Sequence, residues 1–423
     1  MHALEKILAG HAGQSTVTTG EIVNCSVDVA GINDIYLQVL RSFAEIGGTR
    51  VKTPDNVLVF LDHYAPASTA VQAQNQKSFR EFCSGQGIDG LMDINEGVCH
   101  QVLADKGYSR PGSLIVVTDS HTTTHGAFGA FSTGVGATDL AAILKTGKLW
   151  FRVPEIIRIN LTGTLSQGVT AKDVILHIIG DLGADYAVYR GIEFAGPAID
   201  GFTVSQRMTI CNMCTEIGAK ATYIQPDDVT ISHLQQLGIS DYMIHHTDAG
   251  FNYYADLSYD ISLIKPQVAA PSSVDHVSDL AEHIGIPVDQ AYLGSCTGGR
   301  LEDIAAAAFI LKGRQIHKHT RMLVVPASKQ VLMDAMEHGY MQTLVAAGAT
   351  FVTPSCAACL GTHEGLIASG ETCISATNRN FPGRMGHRDG RIYLASPAAV
   401  AASALTGVIT DPTPYLQEGG THI

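Results

Sequence analysis

Three of the nine cysteines stand where they can do chemistry together. Cys356 and Cys359 form a C-x-x-C in TPSCAACLGTHEG, and Cys296 lies well upstream in LGSCTGGRLED. Three thiolates on two loops can hold three corners of an iron–sulfur cube and leave the fourth metal without a protein thiolate. An open metal position is what a Lewis-acid catalyst needs. Other chemistry fits the same residues. A C-x-x-C also serves as a redox pair or as half a zinc site, and His363, four residues past Cys359, can complete a Cys₃His zinc set. Cys25, Cys83, Cys99 and Cys373 stand alone and read as small buried hydrophobes.

Acid–base groups recur in pairs. Asp62-His63 and Asp119-Ser120-His121 each follow an apolar run, and His100 sits in GVCHQVL. An imidazole beside an aspartate is a natural proton donor, although any one such histidine can equally be a hydrogen-bonded structural residue. Arg379 and Arg384 flank a Pro-Gly turn in ATNRNFPGRMGHR, together with Asn378 and Asn380. Paired guanidinium N–H donors suit a polycarboxylate, and surface ion pairs are the plainer alternative. Asn212 and Glu216, four apart in ICNMCTEIGAK, are expected on one helix face with buried partners. Glu216 is a candidate to orient a ligand at a metal, or else a structural hydrogen-bonding group.

The elements that must position these groups read as α/β. Val57–Leu61 and Ser113–Thr118 are short β-rich runs that end at Asp62-His63 and Asp119-Ser120-His121, and Met322–Val325 precedes a helix-like stretch from Ser328 to Glu337. Short apolar runs followed by polar residues and then helices predict buried parallel strands. Ligands bind outside the carboxyl ends of such strands. The glycine-rich stretch Gly126–Gly136 matches neither GxGxxG nor a Walker loop, so a turn packed closely against a neighbour is expected there, not nucleotide binding. Domain boundaries are placed near 154, before the strand-like Ile156–Leu161, and near 270, in the loop-like KPQVAAPSSV. They give units 1–154, 155–270 and 271–423, the last carrying the three cysteines.

The chain of 423 residues is 45% hydrophobic, enough for more than one core. Its net charge of −13, without Lys/Arg runs, argues against nucleic-acid or anionic-membrane partners. No secretory signal or bilayer-length apolar run is seen, and Ala395–Ile409 reads as a buried helix. A soluble cytoplasmic protein without disulfides is the expectation.

Taken together, several blocks resemble the aconitase superfamily, and within it the large subunits of two-part 3-isopropylmalate dehydratases and homoaconitases. They are FLDH at 60–63, GVCHQV at 97–102, TDSHT at 118–122, TGKLWFRVPE at 146–155, MTICNM at 208–213, GSCT at 294–297, the C-x-x-C, and NRNFPGR at 378–384. The resemblance implies a three-domain large subunit of doubly wound, mostly parallel sheets around a central [4Fe–4S] cluster held by Cys296, Cys356 and Cys359, with one iron free of protein thiolate. It implies that Asp62 and His63 protonate a leaving hydroxyl. His100, Asp119 and His121 would wall the open iron, Glu216 would face iron-bound water, and Asn212 and Asn378 would support the cluster. Asn33, Asp34, Ser120, Arg379 and Arg384 would bind substrate.

The sequence departs from that pattern in places. Gly298-Gly299 replace the usual Asn-Ser, Thr123 and His125 replace Cys and Tyr, and Asn33 and Tyr36 replace His and Thr. These differences bear on the substrate. A dehydratase or isomerase of malate-type di- or tricarboxylates is expected, with a specialised hydratase for a maleate-like or methyl-substituted malate as the alternative. An RNA-binding relative is disfavoured by the charge. No Gly-Ser-Ser-Arg loop carrying the family's serine base occurs in the chain. A separate small swivel-type subunit is therefore expected to supply it.

Overall fold

Val57–Phe60 and Leu114–Val117 consist of apolar residues, mostly β-branched, buried on both faces, the signature of strands inside a parallel sheet. In the computed structural model, which describes residues 1–361 and 363–416, they belong to an all-parallel sheet of five strands. Its spatial order is Gly90–Met92, Val57–Phe60, Val29–Ile32, Leu114–Val117, Phe131–Gly134. Numbered along the chain, that order is 3-2-1-4-5, a doubly wound arrangement whose direction reverses between Val29–Ile32 and Leu114–Val117.

The pattern returns in a seven-stranded sheet. Five parallel strands stand in the order Arg391–Leu394, Thr372–Ser375, Gln290–Gly294, Arg321–Val325, Thr350–Phe351, again with a reversal between the first strand in the chain, Gln290–Gly294, and the fourth, Thr372–Ser375. Two antiparallel strands, Gln267–Ala269 and Val277–Asp279, extend one edge. The first of them lies inside the stretch expected to be loop. It is only three residues long, and pairing with a ready-made sheet, not local propensity, makes it a strand. A third, four-stranded parallel sheet is built from Ile156–Thr162, Gly191–Ala195, Ala221–Ile224 and Ala255–Asp260. An antiparallel ribbon pairs Ile22–Ser26 with Lys148–Arg152.

Buried polar side chains tie the sheets together. The Arg300 guanidinium, 3% exposed, donates to Gln101 Oε1 (3.0 Å) and Thr209 Oγ1 (2.6 Å), and so joins segments near all three parallel sheets. Asp173 caps its own helix, Ala171–Leu182, by accepting from Thr170, and also accepts from the Gln267 amide at 2.8 Å. Pro397–Thr406 is a buried helix as expected. None of the described helices is long and apolar enough to cross a membrane.

The glycine-rich turn packs as closely as the sequence suggests. A Cβ at Gly126 would lie 2.1 Å from Thr222 Oγ1 and 2.3 Å from its carbonyl oxygen. Thr222 is a strand residue of the neighbouring sheet, so it cannot easily move away. Gly126→Ala is therefore expected to destabilise the chain by about 1–3 kcal/mol, as overpacking does. Thermal unfolding of the variant beside wild type checks this; an unchanged Tm would contradict the packing argument.

Candidate active site

Both reversal points open onto one cavity of ≈ 220 Å³. Asn33 follows Val29–Ile32, and Asp119, Ser120 and His121 follow Leu114–Val117. From the other sheet, Ser295 and Cys296 follow Gln290–Gly294, and Asn378 and Arg379 follow Thr372–Ser375. His63, His100, Cys356, Cys359 and Arg384 complete the predicted residues that line it. Asp34, Asp62, Asn212 and Glu216 stand immediately behind and hold the lining groups. A larger cavity of ≈ 590 Å³ lies among Leu165–Lys172, Thr203–Thr209 and Glu302–Ala306 and contains none of the predicted residues. Size alone is a poor guide here.

The sulfurs arrive by tight turns. Ser295 adopts φ +73°, and this left-handed residue swings Cys296 from the strand end into the cavity. Cys356 and Cys359 bracket a 3₁₀ turn, Ala357–Leu360, closed by Gly361 at φ +71°. The Cys356 amide donates to the Asp62 carbonyl (2.8 Å), which fixes the sulfur loop against the Asp62-His63 loop. The Cys356 thiol hydrogen-bonds the Cys359 sulfur, which pushes Cys356 well up and holds Cys359 well below the ordinary thiol range. Amide N–H groups face the third sulfur: Asn212 Nδ2 at 3.2 Å and Asn378 Nδ2 at 3.5 Å from Cys296 Sγ. His363 is not with the sulfurs; its Nε2 accepts from the Ala65 amide at 3.2 Å. The Cys₃His zinc set is thus not assembled.

The acid–base groups form one network. His63 Nδ1 lies 2.8 Å from Asp62 Oδ1 and 3.5 Å from Asp34 Oδ2, while its Nε2 points toward Asp119 Oδ2 at 3.9 Å. Burial alone would depress the His63 pKa, but the Asp62 charge and hydrogen bonds to Asp34 and Asp62 hold it well above the usual value. Asp119 experiences the opposite balance. Burial would raise it, yet hydrogen bonds and charge from His100 (2.9 Å) and His121 hold it well below the carboxylate range. Glu216 Oε1 accepts from both His121 Nε2 (2.8 Å) and Arg379 Nε (2.8 Å). Burial opposes its ionisation, and these two partners outweigh burial.

Glu216 corrects one expectation. The helix Val204–Met213 ends before it, and the chain tightens into a 3₁₀ turn, Cys214–Ile217. The tighter winding directs Glu216 toward His121 while Asn212 reaches Cys296. Sequence reasoning missed Ser295, whose Oγ donates to Asn378 Oδ1 at 3.1 Å, and Ile35, Val98 and Leu360, which add apolar surface to the cavity. For Ser295 the available signal was its place between a strand-ending glycine and a reactive cysteine.

The residues fit an iron–sulfur group. Three cysteine sulfurs share one cavity, amide donors face one of them, and the buried Arg384 Nε has no hydrogen-bond acceptor among the described residues. Sulfide and thiolate accept such donors. The sequence profile of the Aconitase family (aconitate hydratase) matches residues 5–286 and 281–407. The chain belongs to the aconitase family. Family membership implies an iron–sulfur cluster. The 3-isopropylmalate dehydratase large subunit 1 of Methanopyrus kandleri is 47% identical over 413 residues, covering 97% of this chain and 99% of that one. A probable methanogen homoaconitase large subunit of Methanothermobacter thermautotrophicus is 45% identical over 425 residues, covering 99% of each. The 2,3-dimethylmalate dehydratase large subunit of Eubacterium barkeri is 44% identical over 415 residues, with 97% and 99% covered. These large-subunit relatives imply a small-subunit partner.

The Asp62–His63 pair makes a sharp prediction. Asp62→Asn removes the charge that raises His63, so the His63 pKa falls. Imidazole NMR across pH reads it directly. A His63 titration that stays where it is in wild type would show that Asp62 does not control it.

Proposed function

We propose that this chain is the large subunit of a hydro-lyase that acts on malate-type di- or tricarboxylic acids such as 3-isopropylmalate. The observation that carries the reading is the meeting of Cys296, Cys356 and Cys359 in one cavity with two arginines and with His63, whose pKa Asp62 and Asp34 hold well above the usual value. The three cysteines would hold a [4Fe–4S] cluster with one iron free of protein thiolate. When bound, such a cluster supplies a Lewis acid for a substrate hydroxyl and carboxylate.

The chain's own groups then divide the remaining work. Arg384, and the guanidinium of Arg379 that Glu216 holds in place, bind carboxylates of the substrate. His63 is held protonated by Asp62 and Asp34 and directs Nε2 into the cavity, so it is the acid for the departing hydroxyl. Asp119 holds the His100 ring by a bond to Nε2, accepts from the His121 backbone amide, and lies 3.5 Å from His121 Nδ1. Asn33 and Ser120 contribute polar contacts at the same wall. The carbon-bound proton leaves to a serine on the small swivel subunit, which the large-subunit relatives make the natural partner. The order of the sheets along the chain supports a first boundary near 154, while Gln267–Ala269, which joins the seven-stranded sheet, draws the second boundary ahead of residue 267 in place of 270.

A methyl-substituted malate is the second reading. It draws on the Eubacterium barkeri relative and on the apolar Ile35, Val98 and Leu360 that line the otherwise polar cavity. The unusual Gly298-Gly299 pair does not favour either substrate. A Cβ at Gly298 would lie 2.3 Å from Ala376 Cβ, and one at Gly299 2.5 Å from the Val325 carbonyl oxygen, so the pair answers to packing.

Two measurements test the reading. Anaerobic reconstitution should give a brown protein containing iron and sulfide, and Cys296→Ser, Cys356→Ser and Cys359→Ser should each lower that content. Colourless protein with zinc alone would overturn it. In assays on malate-type acids the chain should be inactive or nearly so until its small subunit is added. Full activity of the isolated chain would refute the shared site.

A further inference from the structure

Lys172 has the most unusual environment of any charged side chain outside the acid–base network. It is 1% exposed, on the first turn of Ala171–Leu182. Its Nζ donates to the carbonyls of Thr377 (2.6 Å) and Ala376 (3.3 Å) and lies 3.7 Å from Met213 Sδ. Among the described residues no carboxylate forms an ion pair with it. A buried ammonium out of ion-pair reach of any carboxylate is expensive, and the buried Asp303 carboxylate acts on it only from a distance, so its setting calls for an explanation.

The neighbours supply one. Thr377 precedes Asn378 and Met213 follows Asn212, and these two asparagines are the amides that face Cys296 Sγ. Their side chains also bond each other, Asn378 Nδ2 to Asn212 Oδ1 at 2.5 Å. Thr297, next to Cys296, donates to the same Ala376 carbonyl at 3.1 Å. Lys172 thus grips both segments that carry the amide donors, from the side away from the acid–base wall. Burial draws its pKa down to about 8, and the groups that act most strongly in the other direction are the sulfurs of Cys296 and Cys359.

We propose that Lys172 is a positioning residue for the cluster. Its ammonium locks the Asn212 and Asn378 segments together, and it places a buried positive charge behind the cysteine sulfurs that raises the reduction potential of the group they hold. The proposal rests on the cluster reading above. Reduction adds an electron to an already anionic cluster, and a fixed positive charge in a low-dielectric interior stabilises that reduced state.

The test uses the full chain, reconstituted anaerobically, with dithionite as the one-electron reductant and the midpoint potential followed by electron paramagnetic resonance. Lys172→Met and Lys172→Gln should both shift the midpoint to a more negative potential, and Lys172→Arg should leave it close to wild type. Gln removes the charge and keeps an N–H donor on a side chain one atom shorter, whereas Met removes charge and donor together, so a common shift in both follows the charge and not the hydrogen bond. An unchanged midpoint in Met and Gln variants that hold the cluster overturns the role of Lys172 and leaves the cluster reading intact. An equal fall in the Arg variant overturns the charge argument. Failure of both neutral variants to fold without the cluster assigns Lys172 to the fold itself and also overturns the proposal. A wild-type chain that takes up no iron and sulfide overturns both readings.

Discussion

Three thiolates from loops far apart in sequence must converge, and the structure is arranged around that requirement. Each parallel sheet can offer only what its strands carry at their carboxyl ends. The five-stranded sheet ends in Asn33 and in Asp119–His121 at its reversal point, and the seven-stranded sheet ends in Ser295-Cys296 and Asn378-Arg379 at its own. Helices leave in opposite directions on either side of such a point, which creates a crevice. Two sheets of the same winding, placed crevice to crevice, enclose a volume that neither would enclose alone. The bond from the Cys356 amide to the Asp62 carbonyl joins them at the site itself, and the Val98 amide donating to the Ala327 carbonyl joins them beside it.

A buried site with this many ionisable groups persists because the charges compensate in alternation. Asp119 is flanked by His100 and His121, His121 by Asp119 and Glu216, and Glu216 by His121 and Arg379. Every member is hydrogen-bonded to an opposite or neutral partner, so the desolvation that would neutralise an isolated group is offset along the chain of contacts. The direction of each shift follows. Asp119 and Glu216 are driven down and His63 and His121 up, while Asp34, buried beside the Asp62 charge, is pushed up.

Much of this was legible in the sequence, for definite reasons. Val57–Phe60 and Leu114–Val117 are unambiguous because strands buried on both faces need continuous apolar runs, and the polar residues after them had to lie at a sheet edge. Type and spacing made the three cysteines and both arginines candidates, with a zinc site and surface ion pairs as the alternatives, and the resemblance to the aconitase superfamily set their expected roles. Other features were hidden because tertiary context decides them. Gln267–Ala269 looks like loop and becomes a strand only by pairing with Val277–Asp279 and Arg391–Leu394. Glu216 shares its spacing with a helix face, yet the helix tightens before reaching it. Lys172 does not stand out in the sequence, because nothing local reveals that carbonyls from residues more than two hundred positions away will enclose it.

The cavity also explains how one scaffold serves related substrates. On the function proposed above, its charged wall, from His63 and Asp119 to Arg379 and Arg384, would address features common to any malate-type acid: a hydroxyl and the carboxylates near it. None of these groups reads an alkyl substituent. The lining residues able to do so are the apolar ones, Ile35, Val98 and Leu360. A methylene more or less against such a surface is worth only about 1–3 kcal/mol. The charged set is therefore free to stay constant while a few side chains at its margin, with whatever surface the small subunit adds, decide which malate is accepted.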